Sequence, residues 1–134
     1  MLSFATGMPQ LDARDDFRRA RRAARAARWL RRRSSHPRTL TAAPGARRAR
    51  LRVIPVAEIV GTLEPTLGFD ADFRPTSEHV RTRWERISLA RRRGLPLPPI
   101  TVVERPDGYY VVDGRHRVSV ARAYGDQDID AWVT

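Results

Sequence analysis

Cysteine is absent, and so is lysine: all 26 basic residues are arginine. Without a thiol there is no disulfide, no thiolate nucleophile and no cysteine-ligated zinc. The three histidines, His36, His79 and His116, stand at no metal-ligand spacing. No apolar run approaches the ~20 residues of a membrane helix, and the N-terminus has no apolar segment of the secretory kind. Asp12, Asp15 and Asp16 weigh against a mitochondrial transit peptide. The expected setting is therefore the cytoplasm, with no membrane partner.

The charge that is present is unevenly placed. Residues 1–50 hold 14 arginines against 3 acids, a net of +11, whereas residues 51–134 hold 12 of each. The expected organisation is a basic helical arm and linker over 1–50, followed by a balanced folded domain over 51–134. Residues 12–33 have helical periodicity, with Phe17, Ala20, Ala24, Ala27 and Leu30 as a thin apolar stripe. Arg18, Arg22 and Arg25 line another side and are the candidate contacts to DNA or RNA phosphates. An acidic lipid surface is the competing target for such arginines. No base-reading motif accompanies them, so contact is expected to be independent of base sequence.

The second half reads as an α+β domain. Residues 34–50 look like a linker, and 51–54 alternate as a first strand. A short helix is expected over 55–60, carrying the exposed carboxylate Glu58. Residues 61–75 are irregular, and Asp70 and Asp72 there read as ordinary loop charges. Thr76 or Ser77 caps the next helix, whose buried face is Val80, Trp84 and Ile87. Arg91, Arg92 and Arg93 suit its negative C-terminal end, and Gly94 closes it. His79 reads as a surface residue. Two strands follow, over 100–104 and 109–113, joined by the Pro106-Asp107-Gly108 turn. A helix beginning near Arg115 and a last strand over 129–133 complete the order.

The chemistry concentrates where the strand Tyr109-Tyr110-Val111-Val112-Asp113 meets that helix. Gly114 gives the sharp turn its backbone freedom. Arg115, His116 and Arg117 then fall in the helix's first turn, where acids are favoured and cations disfavoured by about 0.3–1 kcal/mol. Two arginines at that place suggest an external anion, most readily phosphate. The alternative is that they reach into solvent and one pairs with Asp113.

These pieces resemble the ParB/sulfiredoxin-like superfamily. Ile54-Pro55-Val56-Ala57-Glu58-Ile59 resembles the opening of ParB N-terminal domains. Gly94-Leu95-Pro96-Leu97-Pro98-Pro99-Ile100-Thr101-Val102 resembles their connector and strand. Gly114-Arg115-His116-Arg117 resembles their phosphate-holding box, and Asp113 to Arg117 also resembles the Asp-Gly-x-His-Arg signature of ParB-like kinases of free serine. Arg115 stands where sulfiredoxins carry cysteine, so sulfiredoxin chemistry is excluded. ParB proteins continue into a helix-turn-helix domain that has no counterpart here, which leaves nucleic-acid contact to the basic arm.

The resemblance implies that Gly114, Arg115, His116, Arg117 and Ser119 cradle the phosphates of CTP or ATP, with Arg117 as the bidentate grip. It implies a DNA-associated or regulatory switch. A small Mg2+-dependent NTPase or phosphotransferase is the alternative, with Glu58 as base, His116 stabilising charge, and Asp113 orienting His116 or holding Mg2+. A degenerate protein-interaction module, a homodimer or a protein partner's regulator, is the third reading.

Overall fold

The computed structural model describes residues 5–30, 36–40 and 48–134. The first helix, α1, runs Pro9–Trp29. It starts earlier than the sequence pattern indicates because Pro9, with its fixed φ and missing N–H, sits in the first turn. Asp12 accepts from the Thr6 amide at 3.0 Å and the Thr6 hydroxyl at 2.8 Å, which ties the entering chain to the helix. Residues 31–33 of the expected helix, and much of the expected linker, lie outside the described residues.

A two-residue strand, β1 (Arg38–Thr39), is followed by β2 (Arg50–Pro55). The helix expected at 55–60 is a single 3-10 turn, Val56–Glu58, and β3 (Ile59–Thr62) takes over directly. Ile59 and Val60 are β-branched, and pairing with two neighbouring strands outweighs any local helical tendency. Gly61 is required there: a Cβ at this position would lie 2.1 Å from the Arg38 carbonyl oxygen of β1. Next come α2 (Arg81–Arg92), β4 (Ile100–Arg105), β5 (Gly108–Asp113), α3 (Arg115–Ala123) and β6 (Asp128–Val133).

The six strands form one mixed sheet in the order β1-β3-β5-β4-β6-β2. β3 pairs parallel to β5, β4 antiparallel to β5 and parallel to β6, and β2 closes the far edge antiparallel to β6. This is the expected α+β architecture, with two strands more than the sequence pattern resolves. One apolar cluster lies between the sheet and α3, built on Ile54, Ile100, Val102, Val111 and Val118. A second joins the helices through Phe17, Phe69, Val80, Trp84 and Val120.

The second cluster changes the picture of the arm. α1 is seated on α2, with the Phe17 ring edge-on to Trp84 at 5.6 Å. Asp16, 1% exposed, accepts from Arg92 Nε at 2.8 Å and Nη2 at 3.0 Å, and it also takes the Tyr124 hydroxyl. Arg92 also reaches the buried Asp12 at 3.6 Å. Asp12 and Asp16 are thus buried anchors of α1 on the domain, whereas Asp15 stays exposed.

Candidate functional site

β5 passes into α3 through one residue. Gly114 has φ +115°, and a Cβ there would lie 2.4 Å from Ile100 Cγ2. Both the left-handed backbone and the packing demand glycine. No side chain caps α3 and no acid stands in its first turn. The Val118 amide bonds back to the Gly114 carbonyl at 2.9 Å. The amides before it have no acceptor within the helix, so the positive end of α3 is open.

Beside that end lies a cavity of about 530 Å³, between α3, α2 and the loop after β3. Arg115 and His116 line it from α3; Thr82, Arg83 and Arg86 line it from α2; His79 and Val80, in the 3-10 turn just before α2, complete it with Thr66, Leu67 and Phe69. No carboxylate is among the lining residues. Arg115 Nε is buried without a hydrogen-bond partner. Among the described residues, Arg83, Arg86 and Arg115 have no acidic partner. The other arginines of α2 that face the domain do: Arg81 donates to Glu85 at 2.9 Å, Arg91 to Asp126, and Arg92 to Asp16. Of the arginines of α2, those without an acidic partner among the described residues therefore line this hollow together with Arg115.

His116 sits half-buried with its ring edge-on to Phe69, centroids 5.1 Å apart. Burial lowers its pKa to about 4, and the nearby charges of Arg83, Arg115 and His79 add to the fall. At neutral pH it is an uncharged imidazole with one N–H to donate. That N–H is what His116 can offer toward an anion, as a neutral donor.

The remaining sequence candidates are placed elsewhere. Arg117, expected to grip phosphate, donates from Nη1 to the carbonyl oxygens of Pro98 at 2.6 Å and Pro99 at 2.8 Å. Its Nη2 reaches Asp113 Oδ2 at 3.2 Å. The carbonyls of the proline-rich connector have no N–H partners of their own from Pro98 and Pro99, so this guanidinium holds the connector against the elbow. Asp113 is spent on Arg117 and points into solvent, and no bond to His116 orients the imidazole. Ser119 is 2% exposed and accepts the Trp84 indole N–H at 2.8 Å; it satisfies a buried donor and does not face the cavity.

Glu58 lies at the wrong end of the sheet. Its carbonyl oxygen abuts Gly108, the first residue of β5, whereas the elbow follows the last. Five residues of strand separate the two, about 17 Å. Arg18, Arg22 and Arg25 are exposed on α1, away from the cavity. Among the described residues no group of three or more His, Asp or Glu is placed to hold a metal. No carboxylate lines the cavity; the side-chain oxygens there are the hydroxyls of Thr66 and Thr82.

Sequence reasoning missed Arg83, Arg86, Thr82 and His79. Their spacing, 79, 82, 83 and 86, is that of one helix face, on the side of α2 away from buried Trp84 and Ser88. That periodicity of polar residues was the available signal.

Fold and elbow define a small α+β domain, a mixed six-stranded sheet with packed helices and a glycine turn between β5 and α3. Among solved structures the chain is similar to a sulfiredoxin from Arabidopsis thaliana, with 21% identity, TM-score 0.43, and coverage of 63% of this chain and 84% of that one. It is similar to a conserved hypothetical protein from Pyrococcus furiosus, with 18% identity, TM-score 0.47, and coverage of 69% and 34%. It is also similar to a free serine kinase in complex with AMP, with 13% identity, TM-score 0.45, and coverage of 72% and 36%. The chain spans about a third of the length of the latter two. No protein-family model and no curated protein sequence matches it. Among the described residues no helix is long and apolar enough to cross a membrane.

Proposed function

We propose that the cavity between α2 and the start of α3 binds the phosphates of a nucleotide, CTP or ATP. One observation carries this reading: Arg83, Arg86 and Arg115, none with an acidic partner among the described residues, converge on a hollow at the uncapped end of α3. Like charges gathered around one hollow repel one another, an anion between them relieves this, and phosphate matches guanidinium in charge and geometry. A volume of about 530 Å³ is within the usual range for small-ligand sites. The grip passes from Arg117, as the sequence suggested, to Arg83, Arg86 and Arg115, with the His116 N–H and the α3 amides as neutral donors.

Binding, rather than phosphoryl transfer, is the reading the side chains favour. Glu58 is remote, Asp113 is paired with Arg117, and no carboxylate lines the cavity to act as base. A regulatory switch follows if nucleotide binding alters a second contact. The DNA or RNA contact proposed for Arg18, Arg22 and Arg25 on α1 is the partner that composition favours.

Equilibrium binding of labelled CTP and ATP tests the cavity. Saturable binding is expected, competed by inorganic triphosphate and weakened about tenfold or more by Arg115→Ala, since a hydrogen bond to a charged group is worth roughly 1.5–3 kcal/mol. The paired change Arg83→Gln with Arg86→Gln should do the same. Absence of saturable binding for every nucleotide would leave the interaction-module reading in its place.

A further inference from the structure

The outer face of α1 carries more than charge. Arg14, Arg18, Arg22 and Arg25 follow one another at intervals of four, four and three residues, so they form one row on the helix. The row is about 16 Å long at 1.5 Å per residue. It faces away from Ala13, Phe17, Ala20 and Ala24, which are buried against the domain. Arg18 approaches Asp15 at 3.7 Å with both side chains largely in water. Arg14, Arg22 and Arg25 have no acidic partner among the described residues. Trp29 continues the row one turn beyond Arg25 and is 83% exposed.

The two features select different properties of a partner. The guanidinium row asks for a line of negative charge. The bare indole asks for a flat apolar face. A duplex supplies the first and hides the second inside its base stack. A single strand supplies both, since its bases are free to stack on aromatic side chains while the backbone follows the cations. An anionic bilayer fits less well. Interfacial helices insert an apolar face, and the apolar face of α1 is already used against α2 and α3 through Phe17, Ala20 and Ala24.

We infer that the outer face of α1 binds single-stranded nucleic acid, with phosphates along the arginine row and a base stacked on Trp29. The inference rests on the reading of α1 as a nucleic-acid surface and adds to it the kind of strand and the stacking residue.

The test uses the full chain, with labelled oligothymidylate, oligouridylate, a mixed-sequence duplex and phosphatidylglycerol vesicles as separate probes. The single strands should bind more tightly than the duplex. Trp29→Ala should weaken single-strand binding about tenfold, and Trp29→Phe should retain most of it. Arg22→Gln and Arg25→Gln should each lower the slope of log affinity against log salt by roughly 0.7. Arg115→Ala should leave oligonucleotide binding in place; if it abolishes binding, the strand occupies the cavity and the inference is overturned. Unchanged single-strand affinity in Trp29→Ala, with weakening in the arginine variants, would refute stacking while sparing the broader nucleic-acid reading. Preference for duplex overturns the inference as well. Binding to vesicles alone, or to none of the probes, overturns both.

Discussion

Arg117 donates to the carbonyl oxygen of Pro98 at 2.6 Å, and the same nitrogen reaches Pro99 at 2.8 Å. These bonds fasten the connector between α2 and β4 to the first turn of α3. The guanidinium's side chain is only 14% exposed. Arg117→Ala is therefore expected to cost about 2 kcal/mol of stability, from lost charged-group hydrogen bonds and newly unpaired carbonyls. Arg117→Lys should recover little, because a single ammonium cannot reproduce the planar fork. Urea unfolding measures the loss. Nucleotide affinity should fall less than in Arg115→Ala; the reverse ranking would mean that Arg117 turns to the ligand when one is present.

Gly114 makes a sharper demand. Alanine there must adopt φ near +115° and bring its Cβ to within 2.4 Å of Ile100 Cγ2. Backbone strain and overpacking of a core residue each cost roughly 1–3 kcal/mol. Gly114→Ala should thus lower stability by about 3 kcal/mol and disturb the α3 amides, so nucleotide binding fails in whatever fraction stays folded. Thermal unfolding and titration with labelled nucleotide would show both effects. A variant as stable as the parent would contradict the packing described at Ile100.

Much of this arrangement was legible in the sequence, and the rest was not for identifiable reasons. The elbow, α2, α3 and the β4–β5 hairpin announce themselves through local signals: Gly114, the Val80–Trp84 spacing, and the Pro106-Asp107-Gly108 turn. β3 has four residues and one of them is glycine, so it carries no period; its pairing with β1 and β5 makes it a strand. The docking of α1 depends on Asp16 meeting Arg92, 76 residues away, which no local pattern encodes. The site suffered from the same limit. Arginines 81, 83, 86, 91 and 92 look alike in the sequence. Which of them stay without a counter-ion depends on where Glu85, Asp126 and Asp16 arrive in the fold. Ser119 similarly reads as a phosphate contact until Trp84 is seen to need its oxygen.

The Asp16–Arg92 pair yields a prediction about α1. Asp16 is 1% exposed and also receives the Tyr124 and Ser88 hydroxyls. Removing it takes two short charged hydrogen bonds from Arg92, whose side chain is 12% exposed, and breaking such pairs from one side costs roughly 3–5 kcal/mol. Asp16→Ala should therefore release α1 from α2 and lower stability by about 3 kcal/mol. Tyr124 provides a second readout. Burial pushes its hydroxyl up to about 12, with Asp16 adding to the rise. Spectrophotometric titration of Asp16→Asn should show the tyrosine ionising at lower pH than in the parent. An unchanged tyrosine titration with unchanged stability would mean that α1 does not depend on this anchor.

His116 tests the cavity through its proton. Burial, with Arg83 and Arg115 nearby, lowers its pKa from an ordinary 6.5 to about 4. Above pH 6.5 the residue is neutral in both folded and unfolded chains and contributes no pH dependence. As pH falls from 6.5 toward 4 the unfolded chain takes up a proton that the folded chain refuses, so stability declines across that window and this group's effect levels off below it. His116→Asn should flatten that part of the profile. A bound phosphate reverses the local sign: its negative charge offsets Arg83 and Arg115 and favours the imidazolium, so the pKa of His116 should rise on binding. By linkage, phosphate affinity should then increase as pH falls through the same window. NMR titration of the imidazole with and without inorganic triphosphate, assigned by His116→Asn, checks each step. An upward pKa shift seen at His116 and not at exposed His36 locates the anion beside α3; an equal shift at both would reduce it to non-specific screening, and no shift would remove the anion from the cavity.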